Sequence, residues 1–126
     1  MSFQLHVEKR PRTAVASAAF TTALPLVCLH GWGMNLRVFD LLRDALSNDC
    51  ETWAVDLVGH GKSPWAPDHA GFEAQVEDVI AVLPPQCVLL GWSFGGKLAI
   101  EIAARAPARI AALVLTSVSP RFAQSA

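Results

Sequence analysis

The stretch from Cys87 to Gly96 constrains this chain more than any other. A short apolar run, Cys87 to Leu90, leads into Gly-x-Ser-x-Gly at residues 91–95, and a helical pattern follows. A serine on such a strand-to-helix turn is held in a strained conformation with its hydroxyl exposed, because the flanking glycines let the backbone turn tightly. The amide groups at the start of the helix can stabilise an oxyanion at the same place. The pattern therefore makes Ser93 the candidate nucleophile.

The overall composition is typical of a chain with a well-buried core. The chain has 126 residues, of which 52% are hydrophobic and 17% charged, and its net charge of −1 predicts no nucleic-acid partner. The first residues lack a signal-peptide pattern, and no segment is long and apolar enough to span a membrane. Three cysteines show no metal-ligand spacing. We therefore expect a soluble, cytoplasmic chain without a membrane partner.

Strand and helix patterns alternate along the chain. The apolar alternation from Phe3 to Val7 and a weaker run from Thr13 to Phe20 predict an antiparallel hairpin at one edge of a sheet. Further strands are expected over residues 26–29, 52–57, 87–90 and 111–116, with one helix in each of the three intervals between them. Such alternation predicts an α/β fold with a mostly parallel sheet and flanking helices.

The helices are amphipathic, and their apolar residues predict which faces pack on the sheet. Asn35 is the expected N-cap of the first helix. Three inward faces are expected, of which the third is small and suited to close packing: Val38, Phe39, Leu42, Ala45 and Leu46; Phe72, Val76, Val79, Ile80 and Leu83; and Leu98, Ala99, Ile102 and Ala103.

Three loops leave the carboxyl ends of the predicted parallel strands, where ligands bind in sheets of this kind. They are His30–Gly33, Asp56–Ser63 and Gly91–Gly95. Acyl transfer through a serine requires two backbone donors for the oxyanion, and the amides of Phe94 and Trp32 are the candidates. The alternative for Trp32 is a side chain packed in the core beside a tight turn.

The remaining loop residues have simpler interpretations. We expect His30 to brace its loop by hydrogen bonds and His60 to be a surface-loop residue rather than a catalytic base. Gly61-Lys62-Ser63 lacks the earlier glycine of a phosphate loop. Gly31-x-Gly33 followed by Asp56 leaves dinucleotide binding as an alternative, although the third glycine of that pattern is missing.

Taken in order, three motifs resemble those of the α/β-hydrolases. They are His30-Gly31-Trp32-Gly33, Asp56-x-x-Gly59-x-Gly61-x-Ser63 and Gly91-x-Ser93-x-Gly95-Gly96. With the final stretch Ser117-Val118-Ser119-Pro120-Arg121-Phe122, the chain looks most similar to the pimeloyl-ACP methyl ester carboxylesterases of biotin synthesis. The resemblance covers nearly the whole chain.

The resemblance implies a set of roles. Ser93 would be the nucleophile, the backbone amides of Trp32 and Phe94 would form the oxyanion hole, and both of these side chains would line the acyl pocket. The substrate would be an ester carried by acyl-carrier protein, with no metal or organic cofactor.

The chain departs from this family in its catalytic triad. The family order is Ser, Asp, His, yet neither Asp nor His follows Ser93, and Glu101 is the only later acid. We therefore expect residues 1–126 to be the N-terminal part of a single α/β-hydrolase domain. It would be truncated after the strand that follows the nucleophile helix, without the lid and the C-terminal part, and inactive or impaired alone. There are two alternatives. One is an inactive fragment that needs a complementing half, and the other is a different α/β-hydrolase esterase or lactonase.

Overall fold

A computed structural model describes residues 3–13 and 24–118 of the chain. Within these ranges five strands form one sheet: β1 Val7–Arg10, β2 Leu26–Leu29, β3 Thr52–Val55, β4 Cys87–Trp92 and β5 Ile110–Thr116. The α-helices of the same ranges are α1 Asp40–Ala45, α2 Phe72–Val82 and α3 Phe94–Arg105. Short 3-10 helices cover Leu36–Phe39, Pro67–His69 and Pro107–Arg109.

The sheet has the strand order β1-β3-β2-β4-β5 and is mostly parallel. β2 pairs in parallel with both β3 and β4, and β4 pairs in parallel with β5. The predicted α/β architecture with a mostly parallel sheet is therefore confirmed. β1 supplies the antiparallel edge by pairing with β3. The second arm of the expected hairpin, Thr13 to Phe20, lies outside the described residues except for Thr13.

The core lies on both faces of the sheet, with its larger part between the sheet and the helices α2 and α3. The alternation of side chains along β2 and β4 sends one set to each face. The larger cluster includes Val27, Leu29, Val55, Val76, Val79, Leu89, Leu98 and Ile102, and the smaller one consists of Leu26, Cys28, Phe39 and Leu90. The predicted inner face of α2 is correct. None of the helices in residues 3–13 and 24–118 is long and apolar enough to cross a membrane.

The predicted inner face of the first helix is wrong in part. Val38 and Leu42 are 38% and 36% exposed, and Ala45 is exposed as well. The physical reason is that the helix begins with a 3-10 turn, in which residues three apart share a face. Asn35 caps that turn as predicted, since its side chain accepts a hydrogen bond from the Arg37 amide at 2.8 Å.

A buried arginine takes the inward position on α1 instead. The side chain of Arg43 is fully buried, and its Nε donates to Thr52 Oγ1 on β3 at 3.0 Å. Its guanidinium also donates to the side chain and the carbonyl oxygen of Glu8 on β1, both at 2.9 Å. This one side chain therefore ties α1 to the two outermost strands on that side of the sheet.

Candidate active site

Ser93 lies between the end of β4 and the start of α3 in a strained backbone conformation. Its φ of 56° and ψ of −116° are values that a residue with a Cβ rarely adopts, at a cost of about 1–3 kcal/mol. Its amide donates to the Thr116 carbonyl at 2.9 Å, and its own carbonyl accepts from the Gly96 amide at 2.9 Å. The backbone on both sides therefore holds the serine in place.

The neighbouring glycines are required because backbone segments meet there. A Cβ on Gly91 would lie 2.3 Å from the Gly96 Cα, and one on Gly95 would lie 2.3 Å from the Leu29 carbonyl oxygen. Any larger side chain would push α3 away from β2 and β4. The glycines thus bring the first turn of α3 directly against the sheet, beside Ser93.

The loop after β2 lies next to this turn. A Cβ on Gly31 would be 3.3 Å from the Ser93 Cβ. The Trp32 side chain is 68% exposed, so the alternative of a core tryptophan is wrong. Its ring lies 6.0 Å from the ring of Phe94 and 5.2 Å from that of His60, edge-on in both cases. Residues of all three predicted loops are therefore brought together at one edge of the sheet.

Asp56 organises the loop after β3, a role that the sequence patterns did not indicate. Its buried carboxylate accepts the Leu36 amide at 2.8 Å and the Lys62 amide at 2.9 Å. Gly61 has a φ of +54°, and a Cβ there would come within 2.2 Å of the carboxylate. The hydroxyl of Ser63 closes the loop by donating to the Asp56 carbonyl.

These contacts speak against the dinucleotide-binding alternative. In that fold the acidic residue that follows the glycine-rich turn is directed at a ribose hydroxyl. Here both carboxylate oxygens of Asp56 are buried and committed to backbone amides. The carboxylate therefore holds the loops after β2 and β3 together.

His30 and His60 both lie in these loops, and both ring nitrogens of each are hydrogen-bonded to backbone groups. Burial lowers the pKa of His30, and the nearby His60 lowers it further, against opposing effects of its bond to Gly31 and of Asp56. The expectation that His30 braces its loop agrees with these bonds. His60 is half-buried and braces the loops as well, which its glycine neighbours did not indicate.

Glu101 and the three cysteines also carry groups that could react. Glu101 lies on α3 and pairs with Arg105 one turn further along, at 3.5 Å. The three cysteines are free, and burial raises the pKa of each thiol, that of Cys28 to about 12. Cys28 and Cys87 lie in the core, where they pack as small apolar residues.

Comparison with known proteins places these features in a family. The family model described as alpha/beta hydrolase fold matches residues 25–125. A pimeloyl-[acyl-carrier protein] methyl ester esterase of Nitrosospira multiformis is 47% identical over 103 residues, which cover 77% of this chain and 39% of that protein. The enzyme of the same name from Aeromonas hydrophila is 40% identical over 110 residues, 86% of this chain and 43% of that protein. The chain thus spans about two fifths of the length of these relatives.

Solved structures agree on the fold. An alpha/beta hydrolase from Novosphingobium aromaticivorans superimposes with a TM-score of 0.81 at 31% identity, over 93% of this chain and 41% of that one. A marine microorganism esterase superimposes with a TM-score of 0.84 at 23% identity, over 98% of this chain and 45% of that one. From the matched family model and the architecture of its sheet, the chain belongs to the α/β-hydrolase family.

Proposed function

We propose that this chain carries the nucleophile part of a serine carboxylesterase, with Ser93 as the nucleophile. The strained backbone of Ser93 is the single observation that carries the proposal. A φ of 56° at a non-glycine residue is stable only when surrounding contacts enforce it, and such strain is concentrated at functional sites. Here the Thr116 carbonyl and the flanking glycines enforce it.

The oxyanion hole would consist of the backbone amides of Trp32 and Phe94. The close approach of Gly31 to Ser93 and the contact between the Trp32 and Phe94 rings support this assignment. The amide of Phe94 also belongs to the first turn of α3, where the helix dipole favours negative charge. The side chains of Trp32 and Phe94 would line the acyl pocket.

The proposed substrate is the methyl ester of an acyl chain carried by acyl-carrier protein, as in the named relatives. Ser93 Oγ would attack the ester carbonyl and form an acyl-serine, with release of methanol. Water would then hydrolyse the acyl-serine and release the free carboxylate. Both steps need a base that takes and returns the proton of the attacking hydroxyl.

We expect that base to come from outside residues 1–126, because the family order places it after Ser93. No Asp or His follows Ser93 in the sequence. The ring nitrogens of His30 and His60 are committed to backbone groups, and Glu101 is paired with Arg105. We therefore propose that the chain alone is inactive or strongly impaired.

The test is ester hydrolysis by a completed protein. The chain would be fused to the part of the Nitrosospira relative that lies beyond its match to this chain. Methanol release from the methyl ester of pimeloyl-ACP is expected from the fusion and not from the chain alone or from a Ser93→Ala fusion. A folded fusion that releases no methanol would contradict the proposed substrate.

A second candidate function, an inactive half that docks with a partner segment, is favoured by one observation. Among the described residues β5 pairs only with β4, and its Leu113, Val114 and Leu115 are 37%, 45% and 42% exposed. An apolar edge strand of this kind is a template for further pairing. A monomeric chain that unfolds cooperatively at high temperature would contradict this candidate, whereas self-association in solution would support it.

A further inference from the structure

Two histidines from different loops meet beside the candidate oxyanion hole. The ring centroids of His30 and His60 lie 5.1 Å apart, with the rings tilted by 56°. His30 follows β2 and is fully buried, whereas His60 belongs to the loop after β3 and is half-buried. The proposed reaction gives neither histidine a role, because all four ring nitrogens are already hydrogen-bonded to backbone groups.

The two rings bind the opposite loops reciprocally. His30 Nε2 accepts the amide of Leu57, which belongs to the loop that carries His60, at 3.0 Å. His60 Nε2 accepts the amide of Gly33, which belongs to the loop that carries His30, at 3.0 Å. Each loop therefore contributes one imidazole to the backbone of the other.

The second nitrogen of each ring anchors it to its own loop. His30 Nδ1 lies 2.8 Å from the Gly31 carbonyl oxygen, and His60 Nδ1 lies 2.9 Å from the Val58 carbonyl oxygen. A carbonyl oxygen only accepts and a backbone amide only donates. Both rings must therefore carry their proton on Nδ1 and keep Nε2 unprotonated, which is the neutral form.

Trp32 lies between the two bonded glycines. Its predecessor Gly31 is held through its carbonyl by His30, and its successor Gly33 is held through its amide by His60. Gly33 has a φ of +78° and no atom within 4 Å of where its Cβ would lie, so packing around it does not fix this turn. The two histidine bonds therefore hold the backbone on both sides of Trp32, and the Met34 amide also donates to the Gly31 carbonyl oxygen at 3.2 Å.

We propose that His30 and His60 are a reciprocal pair of positioning residues that hold the Trp32 amide against Ser93 while both rings are neutral. The catalytic consequence rests on the proposed function, but the bonds themselves do not. Protonation of either Nε2 would replace an acceptor by a donor facing a backbone amide, which would break one of the two links between the loops.

The titratable groups that act on His30 are Asp56 and His60. Asp56, at the end of β3, is the carboxylate that acts on His30, and each histidine faces the other. The start of α3 meets His30 with the backbone of Gly95, which carries no charge.

The test uses nuclear magnetic resonance on the ¹⁵N-labelled chain. Long-range ¹H–¹⁵N spectra at neutral pH are expected to show the neutral Nδ1–H tautomer for both His30 and His60. In His60→Phe, amide hydrogen exchange is expected to become about tenfold faster at Gly33, because a bond of ordinary strength is lost. His60→Gln should restore much of the protection, since its amide oxygen can accept the same bond.

A matched control is available in His69, which stacks on Phe3 and bonds to Asp78 on α2. His69→Gln should leave exchange at Gly33 and Leu57 unchanged. An Nε2–H tautomer at either ring, or unchanged Gly33 exchange in His60→Phe, would overturn the proposal. Should His60→Phe fail to fold, the tautomers of the unsubstituted chain decide alone.

The link to Ser93 has its own readout. In the fusion described above, His60→Phe is expected to slow fluorophosphonate labelling of Ser93 about tenfold or more, because a displaced oxyanion donor stabilises the transition state less. His60→Gln should recover part of the rate, whereas labelling at an unchanged rate in His60→Phe would refute the positioning role. A fusion that never labels, with both tautomers as expected, would instead refute the proposed function.

Discussion

Gly91 and Gly96 approach each other so closely that a Cβ on Gly91 would lie 2.3 Å from the Gly96 Cα. The contact joins the end of β4 to the first turn of α3 on the two sides of Ser93. No rotamer change can relieve it, because both partners are backbone.

Gly91→Ala should therefore destabilise the chain by about 3 kcal/mol, since the backbone of β4 or α3 must move. The midpoint of urea unfolding measures this loss. Gly71→Ala is the matched control, because nothing lies within 4 Å of the added Cβ and its φ of −72° is ordinary. The control should cost about 0.5 kcal/mol or less. Equal midpoints for the two variants would show that the turn is not tightly packed.

Replacement of the buried Arg43 should lower the free energy of unfolding more than replacement of a surface arginine. Arg43→Met keeps the apolar length of the side chain but leaves Glu8 and Thr52 without their buried partner. A loss of about 3 kcal/mol in the free energy of unfolding is expected. Arg105→Met is the control, since the partners of Arg105 are on the surface, and it should shift the unfolding midpoint only slightly. A small effect at Arg43 would refute its structural role.

Acidification should lower the free energy of unfolding of the chain, because His30 is buried in the folded state. Because burial lowers its pKa in the folded chain below the ordinary 6.5, the unfolded chain binds the proton more readily. The stability contribution is therefore present above pH 6.5 and is lost as the pH falls from there through the lowered folded value. Unfolding midpoints between about pH 8 and about pH 5 should show a shallower pH dependence in His30→Gln. The same slope in both proteins would contradict the prediction.

The three thiols should differ in reactivity. Burial raises the pKa of Cys28 to about 12 and also raises that of Cys87, and both lie in the core. Cys50 is half-buried, although its pKa is also raised, by burial and by Asp49. Iodoacetamide should therefore modify Cys50 first in the folded chain and all three after unfolding. Peptide mapping that finds Cys28 modified as fast as Cys50 would contradict this order.

The sequence predicted the order of the elements well because its signals there are local. The run Leu26–Leu29 is continuously apolar and forms β2 with those bounds, and the glycines around Ser93 mark the turn itself. Asn35 was identified as a cap for the same reason, since its partner is two residues away.

What the sequence did not predict depends on partners far along the chain. Arg43 is buried because Glu8 and Thr52 face it from two strands, and nothing in its own helix indicates this. The bond of His60 to Gly33 joins residues that are 27 positions apart in the sequence, and that of Asp56 to Leu36 joins residues that are 20 positions apart. Only the topology of the sheet reveals such contacts.

Fluorophosphonate labelling followed by mass spectrometry tests most directly whether Ser93 is a nucleophile that needs a base from outside this chain. The experiment compares the chain alone, its fusion to the C-terminal part of the Nitrosospira relative, and the same fusion with Ser93→Ala. The expected result is a single adduct on Ser93 in the fusion, and none in the chain alone or in the Ser93→Ala fusion. Labelling of Ser93 at equal rates in the chain and the fusion, or an adduct that persists in Ser93→Ala, would contradict it.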